Sequence, residues 1–317
     1  MSLAVALLAA LTERVLGYPK IALNAIGHPV MWIGALIAWA DTRFNTPGVP
    51  VRRWRGIALV LALIVVTLAV AAPLTLALRT LPFGWVAEAV LATTMLAQKE
   101  LHRAVRSVAE ALRHGLPEAR QAVSHIVGRD TAPLDEAGVA RAAVETLAES
   151  TSDGVVAPLF WLALLGLPGA ALYKAINTAD SMIGHKDARY AEFGWAAARL
   201  DDLLNLVPAR LTAALVVIAA AFQPGADARA AARIARRDAG KHESPNAGWP
   251  EAAFAGALGL RLGGPRAYDG EMLDLPAFGD GRADPGPEDI ERALALYSLV
   301  LVCAWGVVGA GVLIWWL

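Results

Sequence analysis

The chain has 317 residues, 56% of them hydrophobic and 18% charged, and a mean hydropathy of +0.48. That is too apolar for an ordinary soluble domain and points to a polytopic membrane protein. A net charge of −1 gives no basis for nucleic-acid binding, and the lone cysteine, Cys303, excludes an intrachain disulfide or a cysteine-based metal site.

The opening stretch MSLAVALLAALTER lacks a basic n-region and a convincing cleavage site, so it is expected as a retained helix and not a secretory signal. Ile21 to Ala40, interrupted only by Asn24 and His28, is a candidate span. Gly56 to Leu78 carries no charged residue and, at about 1.5 Å per residue, can cross a hydrocarbon core of roughly 30 Å. Leu81 to Ala97 is a further candidate despite Glu88. Arg43, Arg52, Arg53 and Arg55 precede the Gly56 run, and six Lys/Arg residues lie between Lys99 and Arg129, so the positive-inside rule places both loops in the cytoplasm. Trp39, Trp54, Trp85, Trp315 and Trp316 stand at the ends of apolar runs, where an amphipathic ring prefers the headgroup layer.

Lys99 to Asp153 reads as amphipathic helices outside the hydrocarbon, with turns at His114-Gly115-Leu116-Pro117 and Thr131-Ala132-Pro133. Val155 to Tyr173 is long enough to span, yet Gly166-Leu167-Pro168-Gly169 interrupts it, and the expectation is two short helices folded back as a re-entrant or buried hairpin, with a straight span that strands the acidic clusters apart as the alternative. Leu203 to Gln223 is another membrane helix, with Arg210 inside it. Gln223 to Arg292, rich in Arg, Gly and Pro, reads as a second cytoplasmic loop with one embedded helix, in which Ala255, Gly259 and Gly263 form a small-residue row that suits close helix packing or the approach of a bulky ligand. Ala293 to Leu317 is the last charge-free span. The fold class is therefore all-α: one membrane domain over 1–317, about four to six membrane segments, and cytoplasmic helical segments at about 99–153 and 224–292.

Three carboxylate or amide clusters at helical spacing stand among the apolar runs: Glu145/Glu149/Asp153, Asn177/Asp180 and Asp201/Asp202/Asn205. At i, i+4 and i+8 the first three fall within about 80 degrees of one helix face, where like charges repel. A bound cation would remove that conflict, and oxygen-only donors suit Mg2+ holding phosphate oxygens. A solvated acidic face is the plain alternative. Ser244 and Asn246 precede the helix opened by Trp249-Pro250-Glu251, close to Arg237, Lys241 and His242, which suits a phosphate at helix N-terminal amides as well as simple capping. Gly240-Lys241 is not a Walker A loop, because Ala235 stands where its first Gly belongs. Lys174, Lys186 and Arg210 flank the acidic clusters and can neutralise phosphate or pair with the carboxylates. His28 before Pro29 reads as a helix cap, and His185 beside Lys186 as a polar-site residue.

These motifs resemble the adenosylcobinamide-phosphate synthase family of cobalamin biosynthesis, integral membrane proteins, along nearly the whole chain. The matching stretches are HPVMWIG (28–34), VETLAESTSDGVVAPLFW (144–161), KAINTADSMIGHK (174–186), LDDLLNLVPAR (200–210) and RDAGKHESPNAGWPEAAFAGALG (237–259); Ser150 stands where the family more often has Asn. The resemblance implies ATP-dependent amide formation between a propionate of adenosylcobyric acid and the amine of aminopropanol phosphate, or free aminopropanol, through an acyl phosphate. It further implies Mg2+ on Glu145, Glu149, Asp153, Asp180, Asp201 and Asp202, oriented by Asn177 and Asn205. Lys174, Lys186, Arg210, Arg237 and Lys241 would hold ATP and linker phosphates, and His242 or His185 would accept the amine proton. It implies a multi-pass protein of the bacterial inner membrane with a cytoplasmic active site, in a lipid bilayer beside other late corrinoid enzymes. The residues alone also admit a Mg2+-dependent membrane transferase acting on a diphosphate or nucleotide-linked donor, and a non-enzymatic membrane sensor or transport component.

Overall fold

The computed structural model describes residues 1–18, 24–25, 27–46, 48–268 and 270–317. Cα proximity divides the chain into two compact units, one of Met1–Ala97, Ala157–Asn205 and Val308–Leu317, the other of Gln98–Val156 and Leu206–Val307. Among the described residues, four helical stretches are long and apolar enough to cross a membrane: Arg52–Arg79, Glu136–Ile183, Trp195–Ala220 and Pro287–Trp315. A polytopic helical protein is the fold class that the sequence led us to expect.

The first unit holds α1 (Ser2–Leu16), α2 (Pro29–Phe44), α3 (Arg52–Arg79), α4 (Gly84–Ala92), α8 (Ala157–Ile183) and the start of α9 (Trp195–Ala220). Helix α8 is its centre and packs against α1, α2, α3 and α4. Part of the core is Ile37, Leu59, Leu63, Ile176, Ile183 and Phe193. The outer side of α3 leaves Leu61, Val65, Val66, Val70 and Leu76 exposed. An apolar face of that length is stable only against lipid or protein.

The hairpin expected at Gly166 is present. Gly166 has φ 70 and ψ −162, a left-handed conformation that glycine alone adopts without strain, and the helix breaks there. The backbone of Gly169 lies against the carbonyl of Trp161, eight residues back: a Cβ on Gly169 would sit 2.7 Å from that oxygen. Trp161 Nε1 donates to Leu204 O at 3.2 Å, and Tyr173 Oη donates to Asn205 Oδ1 at 2.9 Å. Trp161 and Tyr173 would be about 18 Å apart along a straight helix, yet they meet consecutive residues of α9, so the chain has reversed between them. At the apex, Glu88 accepts from Leu167 N at 3.4 Å and forms a two-pronged pair with Arg79 at 2.9 and 3.0 Å.

That pair explains one correction. Leu81 to Ala97 does not span: α4 has nine residues, about 14 Å, followed by a 3-10 turn at Thr93–Met95, and its Glu88 serves the hairpin apex. The expected span from Ile21 to Ala40 lies partly outside the described residues; Pro29–Phe44 is helical, and His28 caps it, its Nδ1 accepting from Val30 N at 3.2 Å.

The second unit holds α5 (Gln98–Leu112), α6 (Leu116–Ser124), α7 (Glu136–Thr151), a π-helical turn at Ser152–Val156, the rest of α9, α10 (Ala228–Asp238), α11 (Gly248–Leu258) and most of α12 (Pro287–Trp316). The turns fall where Gly and Pro place them, and Asp135 caps α7 by accepting from Gly138 N at 2.7 Å. Between α11 and α12 lie four short strands, β1 (Leu262–Gly263) paired antiparallel with β4 (Ala277–Phe278), and β2 (Arg266–Tyr268) with β3 (Glu271–Leu273). The region 224–292 thus carries two helices and two small ribbons where a single helix was expected. The supposed small-residue row is not one: α11 ends at Leu258, Gly259 is its left-handed C-cap and Gly263 belongs to β1. Close packing comes from Gly256 instead, whose added Cβ would lie 2.6 Å from Ala230 O of α10.

Candidate functional site

Each unit gathers a polar cluster. In the first, the returning leg of the hairpin carries Tyr173, Lys174, Asn177 and Asp180, and the first turns of α9 carry Asp201, Asp202 and Asn205. Asp201 accepts from Asn177 Nδ2 at 3.3 Å and from Asn205 Nδ2 at 2.9 Å, so the structure brings together three of the expected donors in a buried network that ends on Tyr173. Asp180 and Asp202 are half-buried, one helical turn after Asn177 and one residue after Asp201 respectively. Gly184 makes room for Asp180, since a Cβ there would fall 1.9 Å from the carboxylate Oδ1. His185 and Lys186 are exposed in the following loop.

In the second unit the polar cluster is built around Glu145 and Glu251. Glu145 is buried; its Oε2 meets Arg129 Nη2 at 2.8 Å and Arg266 Nη2 at 3.2 Å, and its Oε1 accepts from Gly263 N at 2.6 Å. Two guanidinium groups thus meet the Glu145 carboxylate. Glu149 is exposed one turn later, and Asp153 lies in the π-helical turn, a local form that frequently marks functional positions. Glu251, in the first turn of α11, is 1% exposed and faces Arg266 Nη2 and His242 Nε2, both at 3.5 Å. Burial, together with the charges of Glu149 and Glu145, raises its pKa well above the ordinary carboxylate value, against the opposing pull of Arg266 and Arg129. Three carboxylates here share two guanidiniums.

The loop before α11 is built on capping contacts. Ser244 Oγ accepts from Asn246 N at 3.2 Å and from Ala247 N at 3.4 Å, and Ser244 N donates to His242 Nδ1 at 2.9 Å. With Nδ1 accepting, neutral His242 carries its proton on Nε2, toward Glu251. Arg210 donates to Asn246 Oδ1 at 3.2 Å and lies over the Trp249 ring at 5.0 Å. Arg237 and Lys241, expected on phosphate, clamp the fully buried Asp238: Arg237 at 2.7 Å from both carboxylate oxygens, Lys241 at 2.7 Å, with Gly279 N at 2.8 Å. Arg129, Glu251 and Arg266 were missed from sequence. Glu251 had read only as a helix opener, and no periodicity links Arg129 or Arg266 to Glu145. Among the described residues, no three His, Cys, Asp or Glu side chains are grouped to hold a metal ion.

Residues 6–297 match the CobD/Cbib protein family. The chain belongs to the CobD/Cbib family. It is 50% identical over 96% of its length to the cobalamin biosynthesis protein CobD of Rhodobacter capsulatus, covering 95% of that protein. It is 48% identical to the protein of the same name from Rhizobium meliloti (93% of this chain, 92% of that one) and 46% identical to that of Brucella suis (97% and 96%). No solved structure matches. The stretch shared with the CobD/Cbib family includes every site residue described above, in both units.

Proposed function

We propose that this protein acts in cobalamin biosynthesis as the ATP-dependent enzyme that joins the amine of aminopropanol phosphate, or of aminopropanol, to a propionate of adenosylcobyric acid. The observation that carries the reading is the near-full-length identity to cobalamin biosynthesis proteins, 50% over 96% of the chain. The chemistry requires the carboxylate oxygen to take the γ-phosphoryl group of ATP, after which the amine displaces phosphate and loses a proton. Neutralising phosphate charge and removing that proton are the tasks left to the protein.

For the first task, Asn177, Asp180, Asp201, Asp202 and Asn205 form an oxygen-only donor set on two adjacent helical legs. That set fits Mg2+, which keeps several waters and takes one or two carboxylates with substrate phosphates, so it needs no all-protein cage. Bound there with ATP, Mg2+ would screen the charge of the transferring phosphoryl group. Lys174 and Lys186 supply cations on the same stretch, and Arg210 presents a guanidinium steadied by Asn246 and Trp249. For the second task, Glu251 and His242 form a pair able to take up a proton, because the raised affinity of Glu251 lies beside an imidazole oriented by Ser244. Arg237 and Lys241 hold the loop through Asp238. In this reading the protein works in the cell's inner membrane with the reacting groups on the cytoplasmic side, as the family resemblance implies.

The test is a reaction of detergent-purified protein with ATP, Mg2+, adenosylcobyric acid and either amine, read by mass spectrometry. An amide product that requires ATP is expected. Folded protein that makes no amide from either amine overturns the ligase reading.

A further inference from the structure

Helix α10 presents a row of cations that the proposed reaction does not use. Arg229, Arg233 and Arg236 are exposed, and at i, i+4 and i+7 they fall within about 60 degrees of one face. The opposite face, Ala231, Ile234, Ala235 and Asp238, is buried against α11 and its surroundings. Arg237 extends the row and is matched by Asp238 and Asp280. The N-cap Asp227 turns away, its carboxylate accepting from Ala230 N at 2.9 Å. Like charges on neighbouring turns destabilise a helix unless anions meet them.

The position of this row tells which anion. Helix α10 starts eight residues after the apolar helix Trp195–Ala220 ends. Its N-terminal end is moored to the place where α12 becomes apolar: Arg292, the last charged residue before the charge-free run Ala293–Leu317, donates to Gly225 O at 3.0 Å and to Leu258 O at 3.2 Å. Gln223 Nε2 donates to Arg292 O at 3.0 Å, and Asp227 N to Ala257 O at 2.9 Å. Two membrane helices thus reach their polar boundary at the foot of α10. Arg229 and Arg236 are about 10 Å apart along the helix, a span covered by the headgroup layer and a Debye length of about 8 Å.

We propose that the Arg229/Arg233/Arg236 face of α10 is a docking surface for the phosphates of anionic phospholipid headgroups. The row holds the lipid phosphates by charge and by planar N–H donors, and the lipid anchors the α10–α11 pair at the bilayer surface.

The experiment titrates detergent-purified full-length protein with short-chain phosphatidylglycerol and, separately, short-chain phosphatidylcholine, with bound lipid counted by native mass spectrometry. Wild type should prefer phosphatidylglycerol. At roughly fivefold per arginine, the triple Arg→Gln variant should bind it on the order of a hundredfold more weakly, whereas the triple Arg→Lys variant should retain most of the preference, which separates lost charge from lost folding. Equal retention of phosphatidylglycerol by the Gln variant, or no headgroup preference in wild type, overturns the proposal. So does displacement of the lipid by millimolar inorganic phosphate or ATP with the same arginine dependence, which would make the face a soluble-anion site.

Discussion

Replacing Glu88 should loosen the hairpin that carries Asn177 and Asp180. The carboxylate is 0% exposed, forms two hydrogen bonds to Arg79 at 2.9 and 3.0 Å, and accepts from Leu167 N at 3.4 Å at the apex. Removing one partner of a buried ion pair costs about 3–5 kcal/mol, chiefly from the charge left behind. Here that charge is Arg79, whose side chain keeps 30% of its exposure and can regain some solvation, which sets Glu88→Ala at the low end, about 3 kcal/mol. Glu88→Gln preserves the shape and an acceptor for Leu167 N and should cost about 2 kcal/mol, the loss of charge-assisted bonding alone. At about 2–4 °C per kcal/mol for a large domain, Glu88→Ala should melt roughly 6–12 °C lower in detergent. The assay is thermal unfolding followed by tryptophan fluorescence, since Trp161 of the hairpin is bonded to Leu204 of α9. A Glu88→Ala protein that melts within about 1 °C of wild type, well under the expected shift, would refute the argument that this pair holds the apex.

Four further outcomes follow. Asp238→Asn should lower stability by about 2 kcal/mol and flatten its acid dependence. Hydrogen bonds from Arg237, Lys241 and Gly279 hold the Asp238 carboxyl below its ordinary value, so its stabilisation is present above the unfolded pKa, about 3.9, and is lost as pH falls through the folded one; denaturant titrations across that range measure the slope. Glu251→Gln should become more stable relative to wild type as pH rises, because a folded pKa raised above the unfolded value of about 4.3 makes stability decline from that pH upward, and it should lower amide formation by about 100-fold or more if the pair takes the amine proton. Asp180→Ala should abolish turnover at every Mg2+ concentration while the protein still inserts and melts normally, as activity assays beside a melting curve in detergent would reveal. Gly256→Ala should cost about 1–3 kcal/mol by pushing α10 from α11, seen as faster proteolysis of the 224–292 region.

Much of the fold was legible because lipid imposes simple rules. Charge-free runs such as Gly56 to Leu78 could only be buried or membrane-facing, and Gly166 with Pro168 could not continue a helix. Leu81 to Ala97 misled because apolar composition cannot distinguish a span from a short helix whose one acid is paired internally. The acidic positions were visible from their spacing, but their partners were not. Whether Glu145 meets a cation, water or arginine depends on Arg129 and Arg266, 16 residues before it and far beyond it in sequence.

The sequence by itself determined that the chain is a helical membrane protein, where its polar residues cluster, and that its hairpin must break near Gly166, since hydropathy, glycine and proline act locally. Only the tertiary structure decided that Asp201 is shared by Asn177 and Asn205, that Glu251 is buried beside His242, and that Asp238 claims Arg237 and Lys241. Those pairings join residues from separate elements, and the choice among competing charges is made by distance and burial, which exist only once the chain has folded.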